Sequence, residues 1–417
     1  MKLLIKGAKI IDRNSPFHGK TKDVLIERGK IRINPDEADS DNVVNGKGMY
    51  LTPGWVDMRC WMADPGFEHK ETLASGLEAA AAGGFTGVTL LPNNDPVTQS
   101  KNDVLSLRKR ATGVTEIFPY AAVSRDNKGT ELTEMIDLNE AGAVGFTDGF
   151  LPIWHSDIML KSLQYVQKFG GLLINRPEDR HLTQFGTMHE GIQSTMLGMK
   201  GMPSLAESLM ICRDIDLLRY TGGRLHFSTV STESGLSLIN KAKKEGLQVT
   251  CDMAAYQTDF LDEEIRNFDS NYKVNPPFRT KTDRRALIRA LKNDVIDVIT
   301  SNHCPQDEES KNLEFDLADF GMISLQTVGS NIVSLSSDIP IEDLLHKVSV
   351  RPREILGIAS ATINNGEEAN MTLFDPNAEW EFNAASNRSI SRNSPYWGKT
   401  LTGKARAVIR GTTIELL

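Results

Sequence analysis

Gly54-Trp55-Val56-Asp57-Met58-Arg59-Cys60-Trp61 is the stretch at which the pattern of the chain changes. Before it, Leu3-Leu4-Ile5, Lys9-Ile10-Ile11, Asp23-Val24-Leu25-Ile26 and Lys30-Ile31-Arg32-Ile33 read as short strands separated by Gly, Asn and Pro turn signals. After it, apolar strand-like runs alternate with helical segments. The runs include Gly87-Val88-Thr89-Leu90-Leu91, Gly145-Phe146-Thr147, Gly171-Leu172-Leu173-Ile174, Leu247-Gln248-Val249-Thr250 and Asp297-Val298-Ile299-Thr300. One helix is expected from Glu71 to Ala82, stopped by Gly83-Gly84, and another from Glu233 to Lys244. Strand–helix alternation over this length argues for a parallel βα array, most simply a barrel.

From about residue 360 the chain returns to short strands: Met371-Thr372-Leu373-Phe374, Ala407-Val408-Ile409-Arg410 and Thr413-Ile414-Glu415-Leu416. The expected fold class is therefore α/β: a (βα)8 TIM-type barrel over 54–359, with a small β-sandwich built from 1–53 and 360–417. A chain of 417 residues accommodates both, since such barrels run to about 250 residues.

The net charge of −8, with no basic cluster, argues against nucleic acid and anionic membranes as partners. The apolar run from Met1 to Gly7 is too short for a signal peptide, and no run approaches the ~20 residues needed to span a bilayer. Cys60, Cys212, Cys251 and Cys304 show no C-x-x-C spacing. A cytoplasmic protein with reduced thiols is the expectation.

In a barrel, chemistry sits where strands end and βα loops begin. The polar clusters there are Asp57 to Trp61, Pro92-Asn93-Asn94, Thr147-Asp148-Gly149, Asn175 to Asp179, His226-Phe227-Ser228, Asp252, Asn275-Pro276-Pro277 and Ser301 to Gln306. They imply a pocket without saying what it binds.

At these residues the chain resembles dihydroorotases, within the amidohydrolase superfamily of metal-dependent cyclic-amide hydrolases. The landmarks are Pro53 to Asp57, Asp64 to Thr72, Ala80 to Thr86, Leu91-Pro92-Asn93, Gly142 to Phe146, Pro177-Glu178-Asp179, Glu190-Gly191, Lys273 to Arg279 and Asn393-Ser394-Pro395. They run in order through nearly the whole chain, and they imply the same barrel and terminal β-domain.

The resemblance also implies where zinc ligands would fall. The first-strand His-x-His pair falls on Arg59 and Trp61, the bridging aspartate on Asp148, and the next histidine on Arg176. The following histidine is kept as His226. The final aspartate, ligand and general base in the family, falls on Asn302. A guanidinium stays protonated, and an indole N–H only donates. Two of the six positions keep a ligand type, fewer than the three protein ligands of a catalytic zinc. An amide cannot take a proton from an attacking water. Of the substrate-pocket positions, Asn93 and Asn275 remain, while the family's carboxylate-pairing arginine falls on Ala63 and a pocket histidine on Gln306.

Removing a metal would leave Asp57 and Asp148 as buried charges, so Arg59 or Arg176 is expected to pair with one of them. His226 is expected to be a hydrogen-bonded core residue. The leading expectation is a catalytically inactive dihydroorotase-like protein of pyrimidine biosynthesis that binds no cofactor. The resemblance implies aspartate transcarbamoylase as partner and a homo-oligomer, by family habit a dimer. One alternative is an active cyclic-amide hydrolase of dihydroorotase, hydantoinase or allantoinase type, with zinc at an atypical site. Another is an anion-binding module using Arg59 and Arg176.

Overall fold

The computed structural model describes residues 2–35, 40 and 42–417. Met1, where the leading apolar run begins, lies outside them.

Eight parallel strands form the central sheet: Trp55–Cys60, Phe85–Leu90, Glu116–Ala121, Gly145–Phe146, Leu173–Asn175, Leu225–Phe227, Val249–Ala254 and Val298–Thr300. Each pairs with the next. A bridge between Cys60 and His303 closes the circle, with the Trp61 N–H donating to the His303 carbonyl at 2.9 Å. The alternation read from the sequence is thus a closed barrel, and all six residues of the first strand are buried. Residues facing outward meet the helices; Val88, Leu90, Ile117 and Ile299 join Leu77, Leu236 and Leu344 in the largest apolar core.

The helix expected from Glu71 begins later, at Leu73, because Thr72 caps it through the Ser75 N–H. Glu71 is instead buried, and its carboxylate accepts from Ser75 Oγ, Ser389 Oγ and the Ile390 N–H. The helix Glu233–Lys244 lies where its sequence places it. Thr232 caps it, and Leu236, Ile239 and Ala242 turn inward.

The two ends of the chain share one eight-stranded sheet. Its path runs Thr413–Leu416, Thr400–Arg410, Asn370–Glu381, Tyr50–Pro53, Lys2–Ile10, Thr21–Glu27, Lys30–Ile33, with Asn42–Asn45 also on Lys2–Ile10. Tyr50–Pro53 lies antiparallel to Asn370–Glu381 and joins the two termini. Leu3, Ile5, Val24, Ile31, Met371 and Ile409 form a core of their own around which this sheet is built.

Gly54 marks the passage between sheet and barrel. A Cβ there would stand 2.1 Å from both Asn370 Oδ1 and Thr86 Oγ1. Its carbonyl accepts from Arg353 Nη2 at 3.0 Å. Among the described residues, no helix is long and apolar enough to cross a membrane.

Candidate functional site

The barrel's C-terminal mouth is occupied by side chains of the first, fifth and last strands and their loops. Arg59 leaves the end of the first strand and is 2 % exposed. Its Nε donates to Asn302 Oδ1 at 2.8 Å, Nη1 to Ser228 Oγ at 3.3 Å and Nη2 to the Gly149 carbonyl at 3.3 Å. Ser228 in turn donates to Asp252 Oδ2 at 3.1 Å. The nearest negative charge along this network is therefore one hydroxyl away. Burial, and then the neighbouring Arg176, lower the Arg59 pKa to about 10, which leaves it protonated at neutral pH.

Asn302 sits at φ +49°, a left-handed conformation that asparagine tolerates better than most residues. While its oxygen accepts from Arg59, its amide donates to Tyr256 Oη at 2.6 Å and to the Asn275 carbonyl at 3.3 Å. An ionised aspartate has no hydrogen to donate to either acceptor. The amide at this position thus suits the arginine-filled mouth.

Arg176, after the fifth strand, is 7 % exposed and pairs with Glu178 at 2.7 Å. The same Glu178 oxygen accepts from Asn275 Nδ2 at 3.2 Å, and its other oxygen from Thr183 Oγ1 at 2.6 Å. Asp179 caps the short helix Arg180–Thr183.

The expected pairing of Arg59 or Arg176 with Asp57 or Asp148 does not occur. Asp57 accepts from Thr300 Oγ1, the Ser301 N–H and Ser301 Oγ at 2.5–2.7 Å. Asp148 accepts from the N–H groups of Val123 and Ser124 and from Ser124 Oγ at 2.6–3.0 Å. Each carboxylate is met by hydroxyl and backbone donors of an adjacent strand end, so neither needs a guanidinium. Burial pushes both up to about 6. The loop after the fourth strand reaches Arg59 through the carbonyl of Gly149, not through the side chain of Asp148.

His226 is buried, as expected. Its Nδ1 contacts Thr250 Oγ1 at 2.8 Å and its Nε2 contacts Asp252 Oδ2 at 2.9 Å, so both ring nitrogens are engaged. The Trp61 indole donates to the Asn93 carbonyl at 3.0 Å and packs against Phe67 and Phe150. Cys60 turns away from the mouth and its thiol meets the Thr89 carbonyl.

A cavity of about 400 Å³ opens beside these groups. Asn93, Asn275 and Gln306 line it, with Trp61, Phe150, Tyr256 and Phe320 as aromatic wall. The amide heads are largely committed. Asn93 bridges the Asp148 carbonyl and the Phe150 N–H, and Gln306 accepts from Lys70 at 2.5 Å and donates to the Phe320 carbonyl at 2.8 Å. Ala63 is not a pocket residue. It is fully buried at φ +57°, and its carbonyl receives the Phe67 N–H at the turn that follows.

Phe150 and Phe320 were not singled out by sequence reasoning, because an aromatic in an irregular loop has no periodicity to mark it. Tyr256 lies in the short turn Ala255–Thr258, which has no periodicity to mark it either. Its role depends on Asn302, 46 positions away.

Six positions would have to supply a zinc shell: Arg59, Trp61, Asp148, Arg176, His226 and Asn302. Two are guanidinium groups, one an indole and one an amide, while Asp148 and His226 are committed elsewhere. Among the described residues, no group of three His, Cys, Asp or Glu side chains is placed to hold a metal ion. This donor set does not fit zinc. It does fit a network that carries positive charge at the base of a partly aromatic pocket.

A Dihydro-orotase-like family model matches residues 48–235. The dihydroorotase of Pelotomaculum thermopropionicum is 39% identical, covering 100% of this chain and 99% of its own length. That of Ruminiclostridium cellulolyticum is 38% identical, covering 99% and 98%. Among solved structures, an L-hydantoinase from Arthrobacter aurescens superposes with a TM-score of 0.86 at 21% identity, covering 100% of this chain and 97% of that one. A D-hydantoinase gives 0.85 at 20% identity, covering 100% and 95%.

Proposed function

This chain belongs to the dihydroorotase family, and on that premise we propose that it serves pyrimidine biosynthesis as a non-hydrolytic member. The observation that carries this reading is the buried Arg59 guanidinium held by Asn302, Ser228 and the Gly149 carbonyl. Ring opening of a cyclic amide needs an activated water, a base to accept its proton and an electrophile to polarise the carbonyl. At the base position stands an amide already hydrogen-bonded on both sides. At the electrophile's place stands a cation fixed to protein oxygens. The intact barrel then acts as a scaffold, and the partner we assign is aspartate transcarbamoylase. Affinity capture of the tagged full-length chain from its own cells should retain that transferase at constant stoichiometry. Recovery of the chain alone, at low salt and without detergent, would remove the partner assignment.

A second reading, an active cyclic-amide hydrolase with an atypical zinc site, draws on the relatives named dihydroorotase at 37–39% identity over nearly full length. It requires Asp148 and His226 to leave their present partners and turn to a metal. Turnover of dihydroorotate that is lost with a chelator and restored by zinc would favour it over the first.

A further inference from the structure

The stretch from Leu182 to Leu209 is unlike the rest of the surface. Fifteen large apolar side chains stand exposed among the described residues, and six of them fall here: Leu182, Phe185, Ile192, Met196, Leu205 and Leu209. Of the four residues in the stretch that can carry charge, His189 and Glu207 are buried, which leaves only Glu190 and Lys200 facing solvent. Even Lys200 is folded onto the apolar surface, its Nζ 5.2 Å from the centre of the Phe185 ring.

One small unit presents these side chains. The parallel ribbon of Met188–His189 and Gly201–Met202 launches two helices, Ile192–Leu197 and Ser204–Thr221. The short helix Arg180–Thr183 packs against both the ribbon and Ser204–Thr221. Ile192 and Met196 are four residues apart, as are Leu205 and Leu209, so each pair shares a helical face. Ser204–Thr221 already buries Ala206, Met210, Ile211, Ile215 and Leu218 on its inner side. The outer side of such a helix is ordinarily polar. That of Glu233–Lys244 is, with Glu233, Lys241 and Lys244 exposed. The first half of Ser204–Thr221 turns Leu205 and Leu209 outward instead.

At about 200 Å² for a large apolar residue, the exposed fractions of the six amount to roughly 700 Å². That exceeds the ~300–600 Å² of a typical monomer's largest apolar patch. It approaches the ~800 Å² that each partner of a stable complex buries. Sparse charge and a protruding methionine also mark the core of an interface. The face complements itself as well. In a twofold contact a residue of one copy meets a different residue of the other, and the reverse, so one exposed Glu and one exposed Lys pair across the axis.

We propose that a second copy of this chain docks on this face about a twofold axis, with Ile192–Leu197 and Ser204–Thr221 against their counterparts. The contact reaches toward the mouth through Phe185, which lines a cavity of about 560 Å³ together with Arg176 and Asn275. The docked copy thus walls one side of the way into the barrel. None of this rests on whether the chain hydrolyses a substrate.

The test is sedimentation equilibrium of the full-length protein at micromolar concentration. The wild type should show twice the 46.1 kDa of one chain. Ile192→Glu combined with Met196→Glu sets four carboxylates into the contact and should raise the dimer dissociation constant at least about a hundredfold. Both residues are about three-quarters exposed, so the circular dichroism of the resulting monomer should match the wild type. Leu205→Lys, on the neighbouring helix, should weaken the dimer about tenfold or more. Ile390→Glu, at an exposed position outside the face, should leave it intact. A monomeric wild type, a mass that climbs past two copies without a plateau, or a dimer that survives both face variants would each overturn the proposal. Face variants that stay dimeric but no longer retain the transferase would give the face to that partner instead. An intact wild-type dimer recovered without the transferase would count only against the partner assignment above.

Discussion

At the scale of the residue, a guanidinium at the mouth organises its neighbours. Arg59→Met keeps the length of the side chain and removes the donor to Asn302 Oδ1, an acceptor that no other group among the described residues satisfies. Leaving that buried oxygen unmet should cost about 2 kcal/mol, seen as a lower urea midpoint at unchanged slope. An unchanged midpoint would mean that the network is decorative. Asp148 makes a prediction about pH. Its pKa is raised from 3.8 to about 6 by burial, so the folded chain binds this proton more tightly than the unfolded one. That contribution is complete below about pH 4 and is lost as pH rises through 6. The stability of the wild type relative to Asp148→Asn should therefore fall between pH 4 and 7, by roughly 2–3 kcal/mol. A difference that is flat, or that rises with pH, would show that its three hydrogen bonds outweigh the burial. The arginines at two ligand positions were legible in the sequence, and so was the amide of Asn302 at the family's base position. The partner of each arginine was not. Charge balance alone favoured Asp57 and Asp148, whereas hydroxyl and backbone donors reach those carboxylates from adjacent strand ends, a proximity that one-dimensional spacing does not carry.

At the scale of the element, the strand ends and the first loop residues do the positioning. Gly149 stands at φ +67°, and a Cβ there would lie 1.8 Å from Asn93 Oδ1. Gly149→Ala should displace Asn93 from the Phe150 N–H, withdraw the carbonyl from Arg59 and cost about 2 kcal/mol or more in thermal unfolding. Full retention of stability would mean that the loop adapts and does not brace the mouth. Several strands were read well: Phe85–Leu90, Val298–Thr300 and Asn370–Glu381 contain the runs that announced them or most of their length, whereas Val249–Ala254 takes only half of the run Leu247 to Thr250. The third barrel strand, Glu116–Ala121, was passed over, as was the polar Ser124 beyond it that receives Asp148. Pro119 within that strand weakens its one-dimensional signal, and only the parallel neighbours on both sides establish it.

At the scale of the molecule, the barrel and the terminal sheet have separate apolar cores, joined at Gly54 by Arg353 and the packing of Thr86 and Asn370. That architecture is shared with hydantoinases at 20–21% identity, so it reports the fold and not the chemistry. On the proposed non-hydrolytic reading, the difference from a zinc hydrolase of the same shape would lie in four side chains, Arg59, Trp61, Arg176 and Asn302, and in the hydrogen bonds that hold them. The most direct measurement is zinc titration of the purified full-length protein, followed by assay of dihydroorotate ring opening on the zinc-treated sample. The arginine-filled mouth predicts no stoichiometric zinc binding and no turnover above the uncatalysed rate. Zinc bound at one or two equivalents, with turnover that disappears on chelation, would contradict it.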